Sequence, residues 1–241
     1  MRVTFYTLGC KVNQNETGAL AQLFEENGYT VVSNEEPADV YVVNSCTVTN
    51  FGDQKSRKWL RRAKRENPGA VTVLTGCYPQ AYPEQAAAIP EADLIIGTKH
   101  RSRLPALLAQ LCQNHARIAA VDSYARQDDF EVLPCDTMPD NTRAFLKIQD
   151  GSNRFCSYCI IPYARGRVRS REKENILKEV HKLAEAGYKE VVLTGIHLSS
   201  YGVDFPEDKK ETLLSLIQAV NEVEGIKRIR LGSLEPGIVT E

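Results

Sequence analysis

Residues 39–46 of the chain read Asp-Val-Tyr-Val-Val-Asn-Ser-Cys, and this stretch decides the fold. A short apolar, β-branched run predicts a β-strand at 39–43, which ends three residues before Cys46. The same order recurs twice. A predicted strand at 2–8 is followed by Cys10, and another at 71–75 is followed by Cys77. Three cysteines therefore stand just after the carboxyl ends of predicted strands.

Helical patterns separate these strands, and a fourth predicted strand covers 93–96. Strands that alternate with helices predict an α/β domain with a parallel sheet. Because the strands of a parallel sheet end at the same edge, Cys10, Cys46 and Cys77 are expected to converge there. The alternative is that each is a buried small apolar side chain, which is common for cysteine. The predicted helices of this part lie at 15–27, 49–66, 83–88 and 101–112.

A second block of alternating strands and helices begins near Arg143. Three strands joined by helices are about half of a (β/α) barrel, so the chain is expected to be a fragment. The predicted strands lie at 144–148, 190–194 and 228–231, and the predicted helices at 172–186 and 211–223. The expected division is a domain at 1–112, a linker at 113–142 and a partial, truncated domain at 143–241. Cys112 and Cys135 are interpreted as structurally neutral.

Composition narrows the function classes. The 241 residues carry a formal net charge of −1. No apolar run approaches the roughly 20 residues that cross a bilayer, and the N-terminus lacks a signal peptide pattern, so a cytoplasmic location is expected. In that compartment seven cysteines favour metal binding or catalysis over disulfides. Any nucleic-acid binding must come from local basic patches.

Cys156 and Cys159 form a Cys-x-x-Cys pair in the loop after the strand at 144–148. By itself this pair is compatible with zinc, with redox chemistry or with no chemistry. Zinc sites need a closed set of four ligands, and the four histidines have no finger-like spacing to these cysteines. Iron–sulfur clusters are held by thiolates, and a cluster with one open iron needs three of them.

Four stretches taken together resemble the radical S-adenosylmethionine methylthiotransferases. They are Thr7-Leu-Gly-Cys-Lys-Val-Asn-Gln14 with Glu16-Thr17, Asn44-Ser-Cys-Thr-Val48, Thr75-Gly-Cys77, and Cys156-Ser-Tyr-Cys-Ile-Ile-Pro-Tyr-Ala-Arg-Gly166. The Lys-Val-Asn-Gln version of the first stretch looks most like the MtaB-type subgroup, which acts on transfer RNA (tRNA). The resemblance implies a parallel α/β domain followed by part of an open radical (β/α) barrel.

The resemblance also implies cofactors, partners and a reaction. Cys10, Cys46 and Cys77 would hold an auxiliary 4Fe-4S cluster that takes part in sulfur delivery. Cys156 and Cys159 would hold part of a second 4Fe-4S cluster that binds S-adenosylmethionine. An electron donor would reduce that cluster, and a deoxyadenosyl radical would start methylthiolation at C2 of N6-threonylcarbamoyladenosine in the tRNA anticodon stem-loop. No catalytic side chain is assigned.

Three further residues are cofactor candidates by resemblance. Tyr158 would lie near the adenine of S-adenosylmethionine, and Thr194 with Gly195 would meet its amino group. The structural alternatives are a packed loop aromatic and an ordinary glycine after a strand.

Ser152 departs from the family, which has cysteine at this position. A hydroxyl is a harder and poorer ligand than a thiolate for iron in a sulfide cluster. We therefore expect the second cluster to be lost or labile and the radical chemistry to be impaired. The alternative is a non-catalytic iron–sulfur or RNA-binding relic. A plain nucleotide-binding α/β protein is less well supported, because no Gly-x-Gly-x-x-Gly turn follows the first strand.

Two basic rows are candidates for contact with RNA phosphates. Lys55, Lys58, Arg62 and Arg65 recur at helical spacing and should share one face of the helix at 49–66. Arg165 and Arg167, continued by Arg169 and Arg171, would share one side of an extended segment. The alternative for each row is a solvated charged face.

Overall fold

The computed structural model describes residues 1–47, 50–133, 135 and 142–238. It divides the chain into two compact units. Unit 1 consists of Met1–Tyr124 together with Tyr163–Arg165, and unit 2 of Ala125–Pro162 together with Gly166–Glu241. The first residue of the helix predicted at 49–66 and the last three residues of the predicted partial domain lie outside the described residues.

Unit 1 contains a six-stranded parallel sheet. Its strands are β1 (Arg2–Thr7), β2 (Thr30–Val31), β3 (Val40–Ser45), β4 (Val71–Gly76), β5 (Leu94–Ile96) and β6 (Ile118–Ala120). They are ordered β2-β1-β3-β4-β5-β6, and each recorded pair is parallel, which confirms the predicted α/β class. β3 is buried along its whole length, as its apolar sequence requires. β6 lies inside the segment predicted as a linker, where it extends the sheet.

The helices of unit 1 connect these strands. They are α1 (Lys11–Glu26), α2 (Asn50–Glu66), α3 (Cys77–Ala81), α4 (Pro83–Ala87) and α5 (Leu104–Asn114), the last preceded by a 3-10 turn at Arg101–Arg103. α1 begins at Lys11, whereas the prediction placed its start at residue 15. Its first turns bury the polar residues Asn13 and Glu16 beside a single apolar side chain, Val12, so the apolar period becomes visible only from Ala19 onward.

Unit 2 repeats the alternation on a smaller scale. Its elements are β7 (Ala144–Lys147), β8 (Gln149–Asp150), α6 (Ile161–Arg165), β9 (Arg169–Ser170), α7 (Lys173–Glu185), β10 (Glu190–Thr194), α8 (Leu213–Asn221) and β11 (Arg228–Leu231), although the last three residues of α6 are assigned to unit 1. β11, β10 and β7 form a parallel sheet in that order, and β8 pairs with β9 in an antiparallel ribbon. Leu146, Leu193, Val180 and Leu216 belong to the core that α7 and α8 form with this sheet. Among the described residues, no helix combines the length and the apolar character that a membrane span requires.

Candidate functional site

The three cysteines of unit 1 lie at the carboxyl edge of its sheet. Cys10 follows β1 as the N-cap of α1, Cys46 directly follows β3, and Cys77 directly follows β4. These three strands are neighbours in the sheet, so the cysteines share one edge, as the strand pattern predicts. Cys10 is exposed, Cys46 is half-buried and Cys77 is buried. The three thiols at this edge therefore range from exposed to buried.

Two glycines let the backbone approach closely at this edge. Gly9 has a φ of 110°, and a Cβ added there would lie 3.0 Å from Cβ and 3.1 Å from Sγ of Cys46. Gly76 has a φ of 99°, and its added Cβ would lie 2.4 Å from the carbonyl oxygen of Ser45. A side chain at either position would be strained and would force these segments apart.

Asn13 links the ends of β1 and β3. Its Nδ2 donates to the carbonyl oxygens of Leu8 at 2.8 Å and Ser45 at 3.0 Å. Its Oδ1 accepts from Arg165 at 2.7 Å and lies 3.6 Å from Sγ of Cys10. One buried amide thus fixes the loops that carry two of the thiols.

Arg165 reaches the third thiol. Its Nε donates to Sγ of Cys77 at 3.1 Å, and its Nη2 and Nη1 donate to the two carboxylate oxygens of Glu16, the first at 2.9 Å. Arg101 donates to the same carboxylate at 2.7 Å. Sequence reasoning missed this network because Arg165 and Glu16 are 149 residues apart. The available signal was an acidic residue on the buried face of α1, one helical turn from Asn13.

The thiols at this edge are the donors that iron–sulfur clusters take. In a cluster each thiolate binds a different iron, so the sulfur atoms stand farther apart than around one ion. Three thiols at one edge, close backbone approach and a donor to one sulfur fit such a group. Burial raises the pKa of Cys77 to about 11, partly opposed by Arg165, so a metal must displace its proton.

The loop with the second cysteine pair offers a different donor set. Cys156 is exposed and Cys159 is half-buried, and a tight turn joins them through a hydrogen bond from the Cys159 N–H to the Cys156 carbonyl at 2.9 Å. Ser152 is only 7% exposed, and its Oγ accepts the backbone N–H of Arg154 at 3.2 Å. This loop presents two thiols and one engaged hydroxyl, which does not fit a site of three thiolates.

The candidate S-adenosylmethionine residues have contrasting environments. The Tyr158 side chain is 90% exposed, which excludes the alternative of a packed loop aromatic. Thr194 is the buried last residue of β10. A Cβ added to Gly195 would lie 2.8 Å from Oε1 of Gln149, which accepts the backbone N–H of His197 at 2.7 Å. Thr194 and Gly195 thus lie at the carboxyl edge of the unit 2 sheet, where α/β folds place ligands.

The predicted basic row on α2 lies on the surface. Lys55, Lys58, Arg62 and Arg65 are all exposed. Arg62 pairs with Glu66 at 2.8 Å and lies over the Trp59 ring, so part of its charge is already compensated. The charges of Lys55, Lys58 and Arg65 are therefore the more accessible ones for contact with phosphate.

The prediction of a second basic row on the surface is wrong, because three of its four arginines are buried. Arg165 is fully buried with Glu16, and Arg171 pairs with Glu179 at 2.6 Å, with 5% exposure. Arg169 is also buried. The segment is not an extended surface strand, since Arg165 ends α6. Arg167 alone of the four is exposed, and its guanidinium lies 4.9 Å from the centre of the Phe155 ring.

Comparison with known proteins shows which protein families the chain resembles. The "Uncharacterized protein family UPF0004" matches residues 2–97, and the "Radical SAM superfamily" matches residues 146–239. Over 239 residues, 99% of the chain, the sequence is 47% identical to the threonylcarbamoyladenosine tRNA methylthiotransferase MtaB of Bacillus subtilis (strain 168), of which it covers 52%. Over nearly its whole length the chain is similar to radical S-adenosylmethionine methylthiotransferases. This similarity confirms the resemblance that the four stretches indicated.

Other methylthiotransferases match at similar coverage. The MtaB enzyme of Aquifex aeolicus (strain VF5) is 44% identical over 97% of this chain and 56% of its own length. The tRNA-2-methylthio-N6-dimethylallyladenosine synthase of Clostridium perfringens (strain SM101 / Type A) is 33% identical over 95% of this chain and 52% of its own length. The chain spans about half the length of the curated methylthiotransferases it matches.

A solved structure shares the fold. The radical S-adenosylmethionine methyltransferase TsrM from Kitasatospora setae matches with a TM-score of 0.55 at 14% identity, covering 82% of this chain and 48% of that one. TsrM has been solved with tryptophan and aza-SAM and with cobalamin and a 4Fe-4S cluster. At this identity the likeness concerns fold, and it agrees with the radical (β/α) architecture predicted for this chain.

Proposed function

We propose that the chain serves in tRNA modification, namely methylthiolation at C2 of N6-threonylcarbamoyladenosine next to the anticodon. The substrate class is supported by the 47% and 44% identity with two threonylcarbamoyladenosine enzymes, against 33% with a dimethylallyladenosine synthase. The proposed partners are the tRNA anticodon stem-loop and an electron donor, and the proposed location is the cytoplasm. The domains would be 1–112 and 143–241, with 113–142 between them.

The observation that carries the proposal is the edge of unit 1. Cys10, Cys46 and Cys77 would hold an auxiliary 4Fe-4S cluster, which supplies sulfur chemistry when bound. The chain's own residues bring the thiols to one place: Gly9 and Gly76 permit the close approach of three loops. The buried network behind them orients the loops through the hydrogen bonds of Asn13 and Arg165.

The unit 2 loop limits the proposal. Tyr158, Thr194 and Gly195 are the proposed contacts of S-adenosylmethionine. With Ser152 in place, however, Cys156 and Cys159 are two thiolates where a cluster with an open iron needs three. The proposed activity is therefore impaired in this chain.

Anaerobic reconstitution with iron and sulfide tests the cluster assignment. The chain is expected to bind about four irons with the broad absorption of one 4Fe-4S cluster. Cys77→Ala is expected to lose most of this iron, because one of three protein ligands is gone. Cys112→Ala, at a half-buried cysteine on α5, is the matched control and should keep it. Full iron content in Cys77→Ala would contradict the assignment, and about eight irons in the unaltered chain would contradict the impairment.

A second candidate function is a non-catalytic iron–sulfur protein that binds RNA. The buried Ser152 hydroxyl favours it, since the unit 1 thiols could hold iron without radical chemistry in unit 2. The two candidates share the cluster of unit 1 and differ in whether S-adenosylmethionine is cleaved.

The row on α2 is the proposed phosphate-binding surface, with Arg167 as a further contact. Replacing Lys55, Lys58 and Arg65 together by alanine is expected to weaken tRNA binding on the order of tenfold at about 0.1 M salt. It should also lower the slope of log K against log salt by up to about three, one for each lost phosphate contact. Filter binding or fluorescence anisotropy across a salt series measures both.

A control triple variant is available in exposed lysines elsewhere. This control replaces three exposed lysines, Lys178, Lys189 and Lys209, by alanine. It removes the same amount of positive charge as the α2 variant. Equal loss of tRNA binding in both triple variants would show a general charge effect and contradict the assignment to α2.

A further inference from the structure

We propose that Arg165 is a positioning residue for the unit 1 cluster: its Nε–H donates to the Cys77 sulfur and favours the reduced state of the cluster. The inference rests on the proposed function, which supplies the cluster. It adds a residue six positions after Cys159 to a site otherwise built from the first 77 residues of the chain.

The geometry fixes the direction of this donor. The Arg165 guanidinium is fully buried and planar, and Glu16 accepts from both of its terminal nitrogens. Asn13 accepts a second bond from Nη2 at 2.7 Å. With both ends of the fork engaged, Nε points to Sγ of Cys77 at 3.1 Å. A lysine has no rigid fork and cannot make these contacts at once.

The chemical consequence follows from where charge is added. One-electron reduction by an external reductant places extra negative charge on a cluster and its thiolate sulfurs. A hydrogen bond from a cation to one of those sulfurs is stronger in the reduced state, and such bonds are among the determinants of cluster potential. Burial increases the effect because water does not screen it. Loss of the donor should therefore make the cluster harder to reduce.

Arg101 offers a matched control. It donates to the same Glu16 carboxylate at 2.7 Å, and it is as buried as Arg165. The recorded donor to Cys77, however, is Arg165. Arg101→Gln perturbs the buried ion pair and removes the same charge, whereas Arg165→Gln additionally removes the N–H to sulfur.

The test is a dithionite redox titration of the reconstituted chain, followed by electron paramagnetic resonance. Arg165→Gln is expected to lower the ratio of reduced to oxidised cluster at a fixed potential about tenfold, equivalent to 59 mV for one electron. Arg165→Lys should give a similar shift, and Arg101→Gln a clearly smaller one. Equal shifts in Arg165→Gln and Arg101→Gln, or no shift in Arg165→Gln, would overturn the role of Arg165.

A measurement on the unaltered chain covers the case in which the variants do not fold. With arginine labelled by ¹⁵N at Nε, pulsed electron paramagnetic resonance of the reduced cluster should show a nitrogen coupling, because Arg165 Nε lies against a ligand sulfur. Absence of that coupling in a sample with about four irons would refute the inference while leaving the cluster assignment intact. A sample without a cluster would instead refute the proposed function.

Discussion

Ser152→Cys is expected to raise the iron content of the anaerobically reconstituted chain from about four to about eight atoms. The substitution gives the loop of Cys156 and Cys159 its third thiolate. The position suits it, since the Ser152 side chain is buried and its replacement loses one hydrogen bond from Arg154, worth about 1 kcal/mol. Iron and sulfide assays with absorption spectroscopy measure the gain.

The same variant separates the two candidate functions. With S-adenosylmethionine and dithionite, Ser152→Cys should produce 5′-deoxyadenosine about a hundredfold faster than the unaltered chain or more. Changing even a hydrogen-bond partner of a metal ligand costs about 10–100-fold, and here a ligand itself is missing. Ser152→Ala is the control, because it changes the side chain without adding a thiol. Equal production by the chain with Ser152 would show that the hydroxyl does not impair the site. No gain of iron in the cysteine variant would favour the non-catalytic candidate.

Glu16→Gln is expected to lower the free energy of unfolding by about 3–5 kcal/mol. Glu16 is 2% exposed and is paired with Arg165 and Arg101, both buried. An amide of similar size leaves two guanidinium groups in the interior without a counter-charge from this position. Because a domain is stable by only about 5–15 kcal/mol, the loss should be visible in denaturant midpoint and melting temperature.

A conservative change on the solvent side of the same helix is the control. Glu25 lies in α1 and is exposed, so Glu25→Gln should alter the unfolding free energy by less than about 0.5 kcal/mol. Should Glu16→Gln behave like Glu25→Gln, the buried ion pair would have no role in holding unit 1 together.

Sequence periodicity predicted the parallel sheet and the edge on which Cys10, Cys46 and Cys77 meet, since strands and their ends are set by local apolar runs. It placed the start of α1 too late because polar residues of its first turns are buried by partners distant in the chain. Arg165 was assigned to the surface for the same reason. Its charge is matched by Glu16, and no local pattern records a pairing across 149 residues.

The glycine before Cys77 has a practical meaning for protein engineering. The backbone of Gly76 is left-handed, and a β-carbon added there would lie 2.4 Å from the carbonyl oxygen of Ser45. No other residue fits this position without strain. Libraries that aim to retune the redox properties of this protein should keep positions 9 and 76 fixed and diversify the helix-borne side chains behind them.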